Sequence, residues 1–356
     1  MISRGSTRTV SVGGVKIGGG SPVSVQSMTN TDTRDVAATV RQINLLAEAG
    51  CEIVRVAVPD MEAASAIGQI KREISLPLVA DIHFDYRLAL EAVKCGADKL
   101  RLNPGTIGRS KIKEVARAAK SAGIPIRVGV NGGSLEKAIL AKHGGVTADG
   151  LAESAFRNIN LLERYGFEDI VVSIKATNIG VMLGAHRAVC EKSPYPVHLG
   201  LTEAGTVYSG AIRSAAGLGA LLSLGIGDTV RVSLSGDPAE EIRAAKLILS
   251  AMGLRRFGAT VIACPTCGRA GVDVAGIAAR LESRLAGIKT PMTVAVMGCA
   301  VNGPGEAREA DIGIAGGKGT AVFFRKGEIV RSLGEAEIFD ALVCEAEKLE
   351  GSADVG

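Results

Sequence analysis

The stretch IVRVAVPDMEAASAIGQIKREISLPLVADIH, residues 53–83, contains one complete strand–helix–strand unit. Both ends of the stretch are rich in valine, isoleucine and leucine, which is typical of strands buried on both faces. Between them, Asp60 stands where a helix N-cap is favoured, and the residues after it have helical spacing. The stretch therefore predicts a parallel βαβ unit of the kind that builds α/β proteins.

The same alternation recurs along about the first 250 residues, the usual size of a TIM-type (β/α)8 barrel. The predicted strands are Val23–Met28, Ile53–Val58, Leu76–His83, Lys99–Pro104, Ile124–Asn131, Asp169–Ala176, Pro196–Glu203 and Asp228–Ser235. A doubly wound open sheet is the second choice, but it seldom needs so many consecutive regular units. The glycine-rich segment SVGGVKIGGGSP, residues 11–22, predicts a hairpin that covers the bottom of the barrel.

The pattern changes after Gly253, where GLRRFGAT is interpreted as a linker. The segments that follow predict a strand, a helix, a second strand, a hairpin at AVFFRKGEIV (residues 321–330) and a final helix. We therefore expect an α/β protein with a barrel domain at residues 1–254 and a smaller α+β domain at residues 255–356.

Composition and charge narrow the class of protein. The net charge of +4 is mild and indicates no general nucleic-acid-binding surface. No apolar run has the length of a signal peptide or a membrane span, which predicts a cytoplasmic protein without a membrane partner. Seven cysteines in a reducing compartment favour metal or redox use over disulfides. Four of them stand alone and are interpreted as small core residues: Cys51, Cys95, Cys190 and Cys344.

Cations interrupt five of the predicted barrel strands. They are Arg55, Arg101, Arg127, Lys175 and Arg231. Arg231 stands early in its strand and is the one best explained by a structural ion pair. Burying several cations together is unfavourable unless a polyanion lies between them. Because barrel active sites lie at the C-terminal ends of the strands, the set predicts a phosphate or diphosphate site there.

Polar residues at or just beyond the ends of the predicted strands support this interpretation. They include Asp81, His83, Asn103, Asn131, Asn178, His198, Thr202, Glu203, Ser233 and Ser235. A carboxylate such as Glu203, close to several cations and a bound phosphate, is a candidate general acid or a group that orients water. The sequence therefore predicts a small anionic ligand at the mouth of the barrel.

Three cysteines cluster in two loop-like segments, CPTCGR (residues 264–269) and MGCAVNGPGE (residues 297–306). Cys264, Cys267 and Cys299 could hold zinc or an iron–sulfur cluster, and either would want a fourth ligand. The chain after Gly253 contains no histidine, so the remaining position needs another donor.

The nearest polar candidate for that position is Glu306, and Glu309 and Asp311 are less well placed. Asn302 lies nearby and could contact either the cluster or a substrate. A carboxylate is a comparatively weak ligand for such an iron, so it could give way to another molecule. This predicts a cluster that takes part in chemistry as well as in electron transfer.

Seven motifs together resemble a known family. CPTCGR, MGCAVNGPGEA, HLGLTEAG, RVAVPD, ADIHF, LRLNPGTIG and SIKATN occur here in the order found in bacterial 4-hydroxy-3-methylbut-2-enyl diphosphate synthases, and the resemblance spans essentially the whole chain. It implies a second domain like those of sulfite reductases and a 4Fe-4S cluster on Cys264, Cys267, Cys299 and Glu306. The implied reaction is the two-electron ring opening of 2-C-methyl-D-erythritol 2,4-cyclodiphosphate, with loss of water.

The resemblance also implies roles for the barrel residues and for partners. The implied phosphate-binding positions are Arg55, Arg101, Arg127, Asn131, Lys175 and His198, with Ser233 and Ser235 in addition. Glu203, beside Thr202, corresponds to the barrel carboxylate near the reacting carbons. A homodimer is implied in which each cluster domain covers the partner's barrel, with flavodoxin or ferredoxin as electron donor.

Two alternatives from other classes stay open at this point. One is a non-catalytic iron–sulfur or zinc module joined to an anion-binding barrel, which would carry electrons or act as a sensor. The other is a phosphate-sugar lyase barrel with a structural zinc domain. A radical enzyme that uses S-adenosylmethionine is not favoured, because its CxxxCxxC spacing is missing.

Overall fold

A computed structural model of the chain describes residues 3–299, 307–317 and 319–353. The chain separates into two compact units, Met1–Arg255 and Arg256–Gly356. Among the residues described, none of the helices combines the length and the apolar character needed to cross a membrane.

The first unit contains a two-stranded hairpin and a larger parallel sheet. Its strands are β1 (Val10–Val12), β2 (Val15–Ile17), β3 (Ser24–Met28), β4 (Ile53–Ala57), β5 (Leu78–Asp81), β6 (Lys99–Leu102), β7 (Ile126–Asn131), β8 (Ile170–Lys175), β9 (His198–Leu199) and β10 (Thr229–Val230). The large sheet has the order β8-β7-β6-β5-β4-β3-β10-β9. A parallel bridge between Val172 and Val197 brings its two edges together. This nearly closed ring of eight strands confirms the predicted TIM-type barrel.

Helices alternate with these strands. They are α1 (Val36–Glu48), α2 (Met61–Glu73), α3 (Tyr86–Lys94), α4 (Pro104–Ile107), α5 (Arg109–Ala122), α6 (Lys137–His143), α7 (Ala148–Glu163), α8 (Ile179–Cys190), α9 (Val207–Ser223) and α10 (Pro238–Ala251). As predicted, Asp60 caps α2, since its Oδ1 accepts a hydrogen bond of 2.9 Å from the backbone N–H of Ala63.

The last two barrel strands are much shorter than the sequence predicts. Each contains two residues, where eight were expected. After β9 the chain passes through Gly200, which has no side chain to pack, and at Glu203 it takes a left-handed backbone conformation with φ 55°. That conformation is incompatible with a strand, so the chain turns away from the sheet near the mouth of the barrel.

The hairpin of β1 and β2 closes the bottom of the barrel, as predicted. Val12 and Ile17 are fully buried and pack against Ile53 and Val79, near the N-terminal ends of β4 and β5. This apolar contact seals the end of the barrel opposite its mouth.

The second unit is built around a mixed five-stranded sheet. Its elements are β11 (Ala259–Ala263), α11 (Val274–Arg284), β12 (Met292–Met297), β13 (Ile312–Gly316), β14 (Thr320–Arg325), β15 (Glu328–Gly334) and α12 (Ile338–Ala353). Strands β11, β12 and β13 are parallel, whereas β14 and β15 add to them in antiparallel fashion. Leu281 of α11 and Leu342 of α12 pack in one apolar cluster with Val294 of the sheet. This mixture of helices and a separate sheet agrees with the predicted α+β domain.

The predicted hairpin at residues 321–330 is confirmed. Arg325 pairs with Glu328, and the two residues between them, Lys326 and Gly327, both have positive φ angles of 47° and 78°. Two left-handed residues in a two-residue loop match the twist of antiparallel strands.

Candidate functional site

The register of the barrel strands places the predicted cations on the inner face of the barrel. Arg101 is aligned with Arg127, and Asn131 is aligned with Lys175 on the next strand. Paired residues on parallel strands project to the same face, and side chains two residues apart on one strand do so as well. The cationic side chains of β4, β6, β7 and β8 therefore converge inside the barrel.

These side chains surround a cavity of about 250 Å³ at the carboxyl ends of the strands, here called the mouth pocket. Its lining consists of Arg55, Asp81, His83, Arg101, Arg127, Asn131, Ser173, Lys175, Leu201, Thr202, Glu203, Arg231 and Ser233. Five cationic side chains thus face two carboxylates. A cavity with that excess of positive charge suits a small ligand with several negative charges.

Asp81 is the carboxylate at the centre of this charge cluster. Its Oδ1 lies 3.0 Å from Nη1 of Arg101, and its Oδ2 lies 3.7 Å from Nε of Arg55. Burial opposes its ionisation, but the charge of Arg55, the hydrogen bond from His83 and the charge of Arg101 together hold the pKa of Asp81 well below its usual range. Asp81 therefore stays ionised and fixes the two guanidinium groups in place.

Among the described residues, Arg127 and Lys175 are buried without a carboxylate partner, and Arg55 is only partly compensated by Asp81. Burial, followed by repulsion from neighbouring cations, lowers the pKa values of Arg127 and Lys175 well below their usual range. Burial also lowers the pKa of Arg55 to about 10, although Asp81 partly offsets this. Arg127 is only 1% exposed, and its Nη1 donates to the neutral Oε1 of Gln26 at 3.4 Å. A bound anion would relieve this unfavourable burial of positive charge.

Glu203 stands at the exposed rim of the mouth pocket. Its backbone is left-handed, which is uncommon for a residue other than glycine, and such strain is often found at functional sites. The hydroxyl of Thr177 donates a hydrogen bond of 3.1 Å to Oε2 of Glu203. This contact orients the carboxylate beside the cations.

Larger cavities elsewhere on the first unit lack this concentration of cations. One of about 640 Å³ contains Arg8 and Lys120, but Arg8 is paired with Glu168 at 2.6 Å. Another, of about 720 Å³, is lined largely by residues of α1 and by the segment 236–239. The volume of a cavity alone therefore does not identify the anion site.

In the second unit, the cysteine segments meet at one edge of the sheet. Ala263 is aligned with Val296 on parallel neighbouring strands, so Cys264 and Cys299 both follow the carboxyl ends of those strands. The backbone N–H of Gly298 donates to Sγ of Cys264 at 3.1 Å, which links the two segments directly. Cys267 lies on the same loop as Cys264 and is exposed. We call this the cysteine edge.

The chemistry of the cysteine edge fits an iron–sulfur cluster. An N–H donor to a cysteine sulfur, as between Gly298 and Cys264, is a typical feature around cluster thiolates. Glycines also allow the loops to come close: a Cβ at Gly271 would collide with the carbonyl oxygen of Gly317, and one at Gly298 would lie 3.0 Å from Ala270 Cβ.

The described residues do not supply a complete ligand set. Among them, no three His, Cys, Asp or Glu side chains are arranged to hold one metal ion. The predicted fourth ligand, Glu306, lies outside the described residues.

Both units match one family along nearly the whole chain. The GcpE TIM-barrel domain matches residues 7–246, and the GcpE protein C-terminal domain matches residues 260–348. The chain belongs to the GcpE family. The family resemblance predicted from the motifs is therefore confirmed.

Individual GcpE relatives are similar over their full length. A protein of Geobacter sulfurreducens named 4-hydroxy-3-methylbut-2-en-1-yl diphosphate synthase (flavodoxin) is 55% identical over 347 residues, 97% of this chain and 98% of that protein. A protein of the same name from Caldanaerobacter subterraneus is 56% identical over 344 residues, covering 96% of this chain and 97% of the relative.

Solved structures resemble the GcpE barrel in fold alone. Dihydropteroate synthase from Stenotrophomonas maltophilia aligns with a TM-score of 0.51 at 16% identity, over 69% of this chain and 98% of that structure. Type I 3-dehydroquinate dehydratase from Clostridium difficile has the same TM-score at 13% identity, over 69% of this chain and 98% of that structure. Both likenesses support the barrel assignment.

Most site residues predicted for the GcpE barrel do meet in the mouth pocket. Those that line it are Arg55, Arg101, Arg127, Asn131, Lys175, Thr202, Glu203 and Ser233. With its amide oxygen turned toward Arg101, Asn131 accepts a hydrogen bond of 3.3 Å from Nη2 of that residue.

Two other predicted residues lie elsewhere. His198 is fully buried and does not line the mouth pocket. Ser235 is exposed, and its backbone N–H donates to the carbonyl oxygen of Gly205. Their role as substrate contacts stays a prediction, and so does that of Asn302, which lies outside the described residues.

Sequence reasoning missed Ser173 and two glycines that shape the pocket. Ser173 precedes Lys175 by two residues, so strand periodicity would have placed it on the same inner face. A Cβ at Gly129 would lie 2.7 Å from Nε of Arg101, and one at Gly200 would lie 3.2 Å from Nζ of Lys175. The two glycines therefore make room for cationic side chains.

The prediction that four isolated cysteines belong to the core is only partly correct. Cys51 is buried, and burial raises its pKa to about 12. Cys190 is half-buried, and burial raises its pKa to about 12. Cys344 is instead exposed on α12, and Cys95 is half-buried. The sequence pattern did not show whether Cys95, at the end of α3, and Cys344, on α12, face the core or the solvent.

Proposed function

We propose that this chain catalyses the reductive ring opening of 2-C-methyl-D-erythritol 2,4-cyclodiphosphate to 4-hydroxy-3-methylbut-2-enyl diphosphate. The observation that carries the proposal is the mouth pocket, in which five cations face two carboxylates. Full-length relatives at 55% and 56% identity are named as synthases of this product. The pocket chemistry and the relatives' names thus point to the same diphosphate.

The barrel cations bind the diphosphate. The guanidinium groups of Arg55, Arg101 and Arg127 can each donate two parallel hydrogen bonds to phosphoryl oxygens. Lys175 adds a point charge, and the hydroxyls of Thr202 and Ser233 complete the lining. Since Asp81 already fixes Arg55 and Arg101, little ordering of these side chains is needed when the ligand binds.

Glu203 acts on the hydroxyl group that leaves as water. Its carboxylate stands on the rim of the pocket, and Thr177 holds one of its oxygens. With a proton on the carboxyl group it can protonate the departing hydroxyl, and as a carboxylate it can orient that hydroxyl for loss. Glu203 has its positive φ at the point where the chain leaves the sheet, and it lines the pocket there.

Cys264, Cys267 and Cys299 of the cysteine edge would hold a 4Fe-4S cluster, with Glu306 as the fourth and exchangeable ligand. When bound, the cluster supplies the two electrons that the ring opening requires. The relatives' names include flavodoxin, which supports a flavodoxin as donor, and ferredoxin is the alternative.

Electrons must travel from the cysteine edge to the mouth pocket, which belong to different units of the chain. We propose a homodimer in which the cluster unit of one protomer covers the barrel mouth of its partner. The short connection between α10, which ends at Ala251, and β11, which begins at Ala259, favours this arrangement over closure within one chain. A cytoplasmic location stays a prediction.

The test is anaerobic turnover of the full chain reconstituted with iron and sulfide. Cyclic diphosphate and reduced flavodoxin are added, and the linear diphosphate is followed by phosphorus NMR. Glu306→Gln is compared with Glu309→Gln, a matched change at a neighbouring exposed carboxylate. We expect turnover by the wild type and Glu309→Gln, and a loss of about two orders of magnitude or more in Glu306→Gln, equivalent to about 3 kcal/mol.

Iron content and the electron paramagnetic resonance spectrum of the reduced cluster complete this test. The wild type could hold iron, form no product and keep an unchanged spectrum when the cyclic diphosphate is added. That result would favour the alternative function of an electron carrier or sensor. Equal turnover of the two variants would overturn the ligand role of Glu306 while leaving the reaction in place.

A further inference from the structure

Beside the apolar plug of the barrel interior lies a set of buried polar side chains. The plug consists of Val12, Ile17, Ile53 and Val79. In the strand register Gln26 is aligned with Ile53 and Lys99 with Val79. These two residues, together with Arg127, His198 and Thr229, are buried and are here called the middle layer. TIM-barrel interiors are usually filled by branched apolar side chains, so a polar layer at this depth needs an explanation.

Strand register places Lys99 in this layer. Lys99 precedes Arg101 by two residues on β6, so both side chains project into the barrel, with Lys99 nearer the bottom. Its neighbour on β5 is Val79 of the plug. On the opposite side of the ring, Thr229 of β10 is aligned with His198 of β9.

Several polar atoms of the middle layer are both buried and unpaired. Lys99 and His198 are 0% exposed. Within the part of the chain that is described, Nζ of Lys99, both ring nitrogens of His198 and Oγ1 of Thr229 have no hydrogen-bond partner. An amine without an anion or a hydrogen-bond acceptor beside it is unfavourable as a buried cation.

The charges that face Lys99 are mostly positive. Arg55 on β4 and Arg127 on β7 act on it directly, and burial together with these two guanidinium groups lowers the pKa of Lys99 well below its usual range. Arg101 on β6, Lys175 on β8, His198 on β9 and Arg231 beyond β10 belong to the same interior. Among the buried anions, Asp81 on β5 pairs with Arg101 and Glu241 on α10 pairs with Arg231. Gln26 on β3 is neutral. These surroundings therefore favour the uncharged form of the Lys99 amine in the ligand-free barrel.

We propose that Lys99 is a proton-binding site coupled to the mouth pocket, and that it takes up a proton when a diphosphate binds above it. The inference rests on the proposed function, because the cyclic diphosphate is the anion in question. Two negative phosphoryl groups at the mouth would outweigh the repulsion from Arg55 and Arg127, and so favour the charged form of a buried amine. Lys99 does not line the mouth pocket and does not touch the substrate in this proposal, whereas Arg127 of the middle layer reaches the pocket.

Two other groups could take up the proton instead, and they define the controls. Lys175 is also buried among cations, but it lines the mouth pocket and would contact the ligand directly. His198 shares the middle layer, and burial followed by the charges of Arg127 and Lys175 lowers its pKa well below its usual range. Of these three groups, Lys99 is the amine that lies outside the lining of the mouth pocket and can gain a charge.

The experiment is titration calorimetry of the oxidised full-length protein with the cyclic diphosphate, without reductant, so that no turnover occurs. Repeating it in buffers of different ionisation enthalpy gives the number of protons taken up. The phosphoryl groups of the cyclic diphosphate are already ionised in the neutral range and contribute none. The variants are Lys99→Met, which keeps the volume of the side chain, and His198→Gln as the control within the same layer.

We expect the wild type and His198→Gln to take up protons, and Lys99→Met to bind the ligand with an uptake smaller by up to about one proton per chain. Because uptake of protons means that affinity falls as the pH rises, this fall should be shallower in Lys99→Met. Unchanged uptake in Lys99→Met, or a loss of uptake in His198→Gln alone, overturns the inference. Absence of binding by the wild type instead overturns the proposed function, and the coupling fails with it.

A measurement on the wild type keeps the inference testable if Lys99→Met does not fold. Lysine labelled with ¹³C at Cε reports the charge of each amine by NMR. Near pH 7 and without ligand, we expect one lysine signal to have the chemical shift of a neutral amine, and we expect the same signal in Lys175→Gln. When the ligand is added, this signal should move to the ammonium position. If no lysine other than Lys175 is neutral before the ligand is added, the inference is wrong.

Discussion

Arg231 and Glu241 form a two-point ion pair beside the barrel interior, with Nη2 3.0 Å from Oε1 and Nε 3.2 Å from Oε2. Glu241 is 3% exposed, and it also accepts hydrogen bonds from Oγ of Ser27 and from the backbone N–H of Leu234. The pair agrees with the expectation that Arg231 is the structural cation of the set. Arg231 nevertheless lines the mouth pocket, so its guanidinium can serve both structure and ligand.

Glu241→Gln should destabilise the first unit markedly, because it leaves the guanidinium of Arg231 without its carboxylate. Removing one partner of a buried ion pair typically reduces the free energy of unfolding by about 3–5 kcal/mol. Denaturant unfolding followed by circular dichroism measures this loss. Glu240→Gln changes the adjacent carboxylate in the first turn of α10 and serves as the control. Equal stability of the two variants would contradict the structural role of the pair.

Arg127→Met should weaken binding of the cyclic diphosphate without lowering the free energy of unfolding. Arg127 is nearly fully buried and has a neutral hydrogen-bond partner, so an apolar side chain of similar length should leave the free energy of unfolding unchanged or raise it. Affinity for the cyclic diphosphate should fall about 10- to 100-fold, because hydrogen bonds to charged groups contribute about 1.5–3 kcal/mol.

Calorimetry and denaturant unfolding of the same Arg127→Met preparation test both halves of this prediction. Arg213→Met, at an exposed position on α9, controls for the loss of one positive charge. Full affinity in Arg127→Met would exclude the arginine from the diphosphate site. A large loss of stability would show instead that the guanidinium is part of the structural core.

The barrel and most of its pocket follow from strand periodicity. Because side chains two residues apart share a face, Arg101, Arg127 and Lys175 could be assigned to the interior once their strands were recognised. His198 precedes Thr202 by four residues and does not line the mouth pocket, so its contact with a substrate stays a prediction.

The depth of Lys99 could not be predicted from its own segment. A lysine at the first position of a strand normally reaches solvent at the end of the barrel. Here the hairpin of β1 and β2 covers that end, and Val12 and Ile17 pack against Val79, the neighbour of Lys99 in the sheet. Burial of Lys99 therefore depends on a contact between segments far apart in the sequence.

Replacing any one cysteine of the cysteine edge should reduce the iron content of the reconstituted chain. Cys264→Ser, Cys267→Ser and Cys299→Ser each remove one thiolate ligand, and turnover should fall below detection with the iron. The matched control is Cys344→Ser, an exposed cysteine of the same unit that lies on α12. Iron and sulfide analysis, together with the visible absorption spectrum, measures the effect. Unchanged iron content in the Cys267→Ser protein would exclude that residue as a ligand.

The stability of the first unit should decrease on mild acidification, in part because of His186 on α8. This histidine is 0% exposed, and its Nδ1–H donates to the carbonyl oxygen of Met182 at 2.9 Å. Burial lowers its pKa to about 4, an effect only partly offset by the bond to Met182. The unfolded chain therefore binds a proton at this residue between about pH 6.5 and pH 4, whereas the folded chain does not.

The contribution of His186 is fully present above pH 6.5 and is lost as the pH falls toward 4. A pKa difference of this size corresponds to about 3 kcal/mol. His186→Gln should lack this part of the pH dependence, whereas His143→Gln, which changes a histidine paired with Glu153, should retain it. The measurement is the free energy of unfolding of each protein at several pH values from 7.5 to about 4.5, compared as differences from the wild type. If the curves for wild type and His186→Gln run parallel over this range, His186 is charged in the folded state.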